Sequence, residues 1–177
     1  PSRTHYFVDR GSERGLAHDA FELFGERLNR GRAPGARIDV AFVPVPRAEL
    51  LQALRDGRGD IAADDFATGT DTGGGIALSD AVFTGVSHII VTGPSGPQLA
   101  SLDDLSGQTV HVRPGSDYQA SLLALNARFA ARGKAPMLLE VLRDELESED
   151  ELEMLNTGII GTAVIEAHLA QFWKQIF

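Results

Sequence analysis

The sequence predicts a two-lobed α/β fold, each lobe a mixed sheet flanked by helices. Three stretches carry this expectation. The first is Leu50 to Phe66, LLQALRDGRGDIAADDF. Leu50, Leu51 and Leu54 fall on one helical face. Gly57 stands where a left-handed C-cap is wanted, and Ile61 to Ala63 reads as a short strand covered on both faces. Asp64 and Asp65 follow at its carboxyl end, where open α/β sheets place their ligand crevices. The second stretch is Asp150 to Glu166, in which a helix, a stop at Gly158 and a strand over Ile159 to Glu166 again end in an acid. The echo is loose and is not a sequence repeat. The third is Gly93 to Pro97, GPSGP, the best linker in the chain. It divides the sequence into a first lobe with a hinge strand, residues 1–93, and a second lobe, residues 94–177.

The remaining elements follow in order. Thr4 to Val8 predicts a strand and Asp9 to Gly15 a turn. Leu16 to Arg30 predicts an amphipathic helix with Leu16, Ala20, Phe21, Phe24 and Leu28 on one face. Ile38 to Val43 reads as a strand ended by Pro44 and Pro46. Ala67 to Gly75 is a polar, glycine-rich loop, and Val86 to Thr92 a strand. Ser101 to Leu105 predicts a short helix with a Ser101–Asp104 capping box. Thr109 to Val112 predicts a strand, Arg113 to Ser116 a turn, and Asp117 to Arg132 a helix capped by Ser116. A strand, a glycine turn and a helix N-terminus together make a standard anion site, because free N–H groups point outward there. Met137 to Leu142 is another strand. Asp144 to Glu153 holds seven acids in ten residues, read as a solvated helix start with Ser148 and Glu151 as a second capping box. Ala167 to Phe177 predicts a last helix with Leu169, Phe172, Trp173 and Ile176 on its apolar side.

Composition removes several function classes. The chain has 177 residues, 43% of them hydrophobic, so a packed core is within reach. A net charge of -9 argues against nucleic acid and against an anionic membrane surface. Without cysteine there are no disulfides and no thiolate chemistry. No apolar run approaches the roughly 20 residues of a membrane-spanning helix.

Motif matches are mostly explained by their surroundings. Asp71-Thr72-Gly73 has the triplet of aspartic proteases, but it sits among Gly and Thr rather than on apolar strands. Arg58-Gly59-Asp60 lies in a helix-to-strand turn that accounts for it. The glycines from Gly69 to Gly75 lack the Gly-Lys-Ser/Thr of a phosphate loop. His5, His18, His88, His111 and His168 never fall at ligand spacing, so no metal is expected. The acidic run lacks the turn glycine of hard-cation loops. No nucleophile–base pair or Gly-x-Ser-x-Gly elbow is present. What survives is a non-catalytic cleft. Its candidate lining is Tyr6, Asp9, Asp65, Phe66 and Thr68 in the first lobe, with Arg113, Gly115, Ser116, Tyr118 and Glu166 in the second. The competing reading makes Tyr6 and Phe66 core and the acids surface.

The order of segments resembles the type II periplasmic solute-binding proteins of the amino-acid-binding group. It is most like the binding domain at the front of membrane-bound lytic transglycosylase F-type proteins. The matching pieces are THYFVDRGSERGL, FVPVPRAELLQALRDGRGDIAA, LSDAVF, IIVTGP, LASLDDLSGQTVHVRPGSDYQASL and LEMLNTGIIGTAVIEAHLAQFW, which span nearly the whole chain. The resemblance implies a periplasmic-binding-protein-like fold of type II, with a ligand held between two lobes that close by a hinge. It implies a small polar ligand, an amino acid or a peptidoglycan-derived muropeptide, no cofactor, and a bacterial periplasmic location. It further implies attachment to a membrane, or to a fused or associated transglycosylase whose catalytic domain this chain lacks. Three departures stand out. The family's Thr-x-Thr-x-x-Arg loop corresponds to Ala67 to Thr72, with Gly69 at the second Thr and Thr72 at the carboxylate-binding Arg. Arg113 and the helix start at Ser116 are then the replacements for that Arg. The Asp that meets a ligand ammonium corresponds to Glu166, which keeps the charge and reaches further. The family's strand before Thr4 and its return segment after the last helix have no counterpart, so lobe 1 is expected to be incomplete, or completed by a second copy in a homodimer. The alternative function is a degenerate binding fold acting as a protein-interaction scaffold.

Overall fold

The computed structural model describes residues 2–176. The chain divides into two compact units between Leu78 and Ser79.

In the first unit, β1 (Phe7–Asp9) and β2 (Ser12–Arg14) form an antiparallel hairpin with Phe7 opposite Arg14 and Asp9 opposite Ser12. Arg10 and Gly11 both take positive φ, 49° and 84°, as a two-residue turn that follows the strand twist requires. The stretch expected to be only a turn, Asp9 to Gly15, therefore holds the partner strand. The first helix, α1 (Leu16–Leu28), leaves Leu16 and Phe24 exposed, so its predicted apolar face is only partly covered. At its end the Asn29 side chain closes on Ile38, donating to its carbonyl and accepting from its N–H, both at 2.8 Å. Gly25 lets α1 lie close to this segment, since a Cβ there would stand 2.9 Å from the Val40 side chain. Phe42 completes the contact, stacking on Tyr6 at 5.5 Å and meeting Phe21 edge-on at 6.4 Å. A short 3-10 turn (Arg47–Glu49) leads into α2 (Leu50–Arg55).

Two expected strands, Ile38 to Val43 and Ile61 to Ala63, are irregular chain. Among the described residues the first unit holds a two-stranded sheet only. A strand exists only when a neighbour answers its N–H and C=O groups. At Ile38 an asparagine side chain gives that answer instead. Ile38 and Ile61 stay exposed as a result, and the first unit carries little apolar core.

The second unit is built around a sheet in the order β3-β6-β4-β5. Its strands are β3 (His88–Thr92), β4 (Thr109–Val112), β5 (Leu138–Val141) and β6 (Thr162–Glu166). β4 runs parallel to β5 and β6, and β3 runs antiparallel to β6. β3, assigned to the first lobe in the sequence reading, thus pairs within this sheet. The central strand β6 is buried on both faces. Val164 packs into a cluster with Val110, Val112, Leu122, Leu125 and Phe129 of α3 (Tyr118–Ala131). Ala163 and Ile165 point the other way, into Leu152 and Leu155 of α4 (Ser148–Asn156) and Leu169 and Trp173 of α5 (Ala167–Trp173). Each fully buried large apolar side chain contributes about 1.5–3 kcal/mol, so these two layers dominate the stability of the unit.

Local details correct several expectations. The Ser101–Asp104 capping box is present. Ser116 does not cap α3; its hydroxyl donates back to the Arg113 carbonyl at 2.8 Å. The α4 capping box uses Glu147 and Asp150, one residue ahead of the expected Ser148 and Glu151. That shift turns Ser148, Glu149 and Glu151 inward, so the acidic run is not a solvated face. The last helix ends at Trp173, short of the expected Phe177: Leu169 and Trp173 are buried, Phe172 is exposed, Ile176 is exposed in the turn beyond it, and Phe177 lies outside the described residues.

The topology sets up the site. Parallel β4 and β6 end on the same edge of the sheet, presenting Arg113 and Glu166. Antiparallel β3 begins there, with His88 opposite Glu166 in register.

Candidate functional site

In the second unit a polar shelf forms at this sheet edge. Arg113 follows β4, and its backbone N–H donates to the Tyr118 hydroxyl at 3.1 Å. Its guanidinium turns onto α4, donating from Nη1 to Ser148 Oγ at 2.7 Å and from Nη2 to Glu147 Oε2 at 3.4 Å. Ser148 Oγ donates in turn to Glu166 Oε2 at 3.4 Å. On the far side of Glu166 stands His88, with Nε2 3.9 Å from Glu166 Oε1 and 3.3 Å from Asp117 Oδ1. The His88 ring also lies against Tyr118, centroids 5.1 Å apart. Gly115 turns the chain between β4 and α3 at φ +68°, and no heavy atom lies within 4 Å of where its Cβ would be. The backbone there is open to a ligand, and only glycine holds that φ without strain.

Charge in this shelf is unbalanced. Burial works against the Arg113 charge, but Glu147, Glu151 and Glu166 outweigh it and hold the guanidinium pKa above its ordinary value. Burial raises the Tyr118 pKa, with Glu151 adding to the effect. Burial also drives Glu151 up to about 8, with Glu166, Asp150 and Glu147 adding and Arg113 opposing. Three carboxyl groups thus surround one guanidinium.

In the first unit, Arg47 gathers the acidic stretch. It reaches Asp64 Oδ2 at 2.6 Å and the Asp65 carbonyl at 3.1 Å, and its guanidinium lies 5.9 Å from the Phe66 ring centroid. Asp65 Oδ2 meets His5 Nε2 at 3.0 Å, and His5 is the chain neighbour of Tyr6. The Tyr6 hydroxyl donates to Glu13 of β2, which raises its pKa. Asp9 lies 3.8 Å from Arg14, and Thr68 is exposed. Thr72 donates to the Ile76 carbonyl, and its own carbonyl accepts from Arg55.

Of the candidates, Arg113, Tyr118 and Glu166 come together directly, with Gly115 and Ser116 in the adjoining turn. Asp65 and Phe66 share Arg47, whereas Asp9 and Thr68 take no part in that group. Sequence reasoning missed Arg47, His88, Ser148 and Glu151. For Glu151 a signal was present, because it lies four residues before Leu155 and shares its helical face. Among the described residues no cluster of three or more His, Asp or Glu could hold a metal ion, and no helix is long and apolar enough to cross a membrane.

Comparison with solved structures shows the same fold. An ancestral arginine-binding protein bound to glutamine matches with a TM-score of 0.64 at 18% identity, covering 98% of this chain and 69% of its own. A structure described as an L-cystine ABC transporter from Listeria monocytogenes matches with a TM-score of 0.71 at 18% identity, covering 97% of this chain and 68% of its own. The arginine-bound Gly52Ala mutant of ArgBP from T. maritima matches with a TM-score of 0.55 at 17% identity, over 98% and 73%. At these identities the likeness establishes the type II periplasmic-binding-protein-like fold. No family model matches the chain, and no curated protein matches it.

Proposed function

We propose that the chain is a non-catalytic solute-binding domain for a small polar ligand, an amino acid or a peptidoglycan-derived peptide. The observation that carries this reading is the continuous Arg113–Ser148–Glu166 polar chain at the carboxyl ends of β4 and β6. Open α/β sheets bind ligands at such edges. Glu166, flanked by His88 and Ser148, would accept a ligand ammonium. The open turn at Gly115 and Ser116, ahead of α3, would receive its carboxylate. Arg113 is already engaged by Glu147 and Ser148, so in this reading it orders the shelf and contributes less to anion capture. Tyr118 braces the turn through the Arg113 N–H. Tyr6, Asp9, Asp65, Phe66 and Thr68 are proposed as ligand contacts of the first unit. Three of the matched structures are described as bound to glutamine or arginine, which supports an amino acid over other small solutes. A periplasmic location and an association with a lytic transglycosylase belong to the same proposal, the second resting on the sequence resemblance alone.

The test is a thermal-shift screen of the purified chain against amino acids and peptidoglycan stem peptides, followed by calorimetry of the hits. A ligand at about 100 times its dissociation constant adds about 2.7 kcal/mol of stability. Glu166→Gln is expected to weaken the best hit at least about tenfold, the loss of one charge-assisted contact. A well-folded chain that binds none of them would refute the proposal and favour the scaffold alternative.

A further inference from the structure

The sheet of the second unit ends on one side at β3, and that edge is open. The bonds from the Gly93 N–H to the Gly161 carbonyl, 2.9 Å, and from the Ala167 N–H to the Ser87 carbonyl, 2.8 Å, set the phase of the β3–β6 ladder. Bonded positions alternate in an antiparallel pair. Ile89 and Val91 therefore turn their N–H and C=O groups to β6, while His88, Ile90 and Thr92 turn theirs outward. Among the described residues no strand answers those outward groups. Beside them runs an apolar groove of about 620 Å3, lined by β3, by Leu152 and Leu155 of α4 and by Ala167 and Ala170 of α5. Ile89 stands in it, 40% exposed. Free sheet edges in soluble proteins are guarded by charges, prolines or bulges. β3, HIIVT, has no acid, lysine, arginine or proline, and its register with β6 runs unbroken from His88 to Thr92.

We propose that this edge is covered by the same edge of a second copy of the chain, the two β3 strands pairing antiparallel about a two-fold axis at Ile90. Three features single out a second copy. First, the outward residues are self-complementary. Ile90 meets its own counterpart, and His88 meets the second copy's Thr92. Each such pair exchanges two hydrogen bonds, so every outward group of β3 is answered. The next outward position is Pro94, which has no N–H, and the ladder stops there. Second, the two ends are matched in charge. Asp117 and Glu166 stand at the His88 end, and Lys174 lines the groove with Gly93 and Pro94. Antiparallel pairing sets the acidic end of one copy against the Lys174 end of the other. Third, Ile89 of each copy falls opposite Val91 of the other on the groove side, so the exposed Ile89 gains an apolar cross-strand neighbour. The result is one continuous sheet with the four strands of each copy. The pairing does not depend on what the shelf binds.

The experiment is sedimentation equilibrium of the whole chain from about 1 to about 500 μM. It is run at about 0.15 M salt, where the net charge of -9 on each copy is screened beyond about 8 Å. The mass is expected to climb from the 19.0 kDa of one chain to twice that and to stop there. Hydrogen exchange followed by NMR reads the edge itself. The amides of Ile90 and Thr92 should exchange at least about tenfold more slowly at the high concentration than at the low one, while those of Ile89 and Val91 stay protected at both. Thr92→Pro removes an outward N–H and spares the ladder to β6, and Ile89→Lys places a charge in the groove. Each should weaken the association at least about tenfold, with circular dichroism confirming the fold. The exchange measurement on the unsubstituted chain stands even where a variant misfolds. A single-chain mass throughout, with Ile90 exchanging freely, overturns the proposal and leaves the edge to a different polypeptide. A single-chain mass with Ile90 protected also overturns it, since the chain then covers its own edge. A dimer that leaves Ile90 unprotected, or that neither variant weakens, places the interface elsewhere and overturns it too. A mass that grows without limit means that β3 meets a different surface head to tail, which overturns the two-fold pairing.

Discussion

Replacing Glu151 by glutamine should change how the empty protein's stability depends on pH. The side chain is 0% exposed and its pKa stands at about 8, against an ordinary value of 4.5. Its folded pKa is raised, so the native state holds this proton more tightly than the unfolded chain does. The resulting stability is fully present below about pH 4.5 and is lost as pH climbs to about 8. Each pH unit in that window costs about 1.4 kcal/mol, giving a ceiling of about 5 kcal/mol. Relaxation and water entry lower this, so about 2–5 kcal/mol is expected. Glutamine keeps the shape and removes the titration. The assay is urea unfolding at pH 5 to 9, followed by the fluorescence of Trp173, the single tryptophan. Trp173 reports on the right unit, because it packs in one cluster with Leu152 and Leu155 of α4. The stability advantage of the variant should grow steadily from pH 5 to pH 8 and then level off. Parallel pH profiles for the two proteins would refute the argument, since they would mean that Glu151 titrates alike folded and unfolded.

Two further substitutions probe the scaffold beneath the shelf. Gly96→Ala puts a Cβ 2.0 Å from the Gly161 carbonyl oxygen, a main-chain atom that cannot rotate aside. It should lower stability by about 3 kcal/mol or more, read as a drop in the urea midpoint, and an unchanged midpoint would show that the two segments can part there. Asn126→Ala removes the side chain that donates to the Met137 carbonyl at 3.0 Å and accepts its N–H at 2.7 Å. With both backbone groups half-buried and unanswered, a loss of about 2–3 kcal/mol is expected in the same assay, and a loss under about 0.5 kcal/mol would mean water replaces the amide.

The second unit was legible because its signals are local and mutually consistent. Thr109 to Val112 alternates within a sheet that has helices on both faces, and its observed bounds match the sequence reading. Ser101 and Asp104 cap across three residues, a distance the sequence displays directly. The first unit was legible only as far as its helices. Ile38 to Val43 and Ile61 to Ala63 have strand composition, but a strand needs a partner, and composition does not reveal whether one comes. The site was read in part. Arg113 and Glu166 were found from their places at strand ends. Ser148 and Glu151 were missed because a run of seven acids suggests solvent by charge count. Helical phase overrides that count, since Glu151 shares the face of Leu155 and must follow it inward. His88 was missed because its position depends on antiparallel pairing with β6, which no local pattern encodes.

Among the described residues the asparagine clamp occurs twice. Asn29 holds the N–H and C=O of Ile38 after α1, and Asn126 holds those of Met137 from within α3. Each side-chain amide acts as a detached peptide group, answering one residue as a neighbouring strand would. This makes covalent ageing of the protein a question about two atoms. Asparagine is among the thermolabile residues. Hydrolysis of either amide to a carboxylate would replace the donating NH2 with an oxygen, set against the very carbonyl it now serves. One such event would turn an attraction into a repulsion and release the segment it pins. The shelf life of each unit is therefore written in a single amide nitrogen.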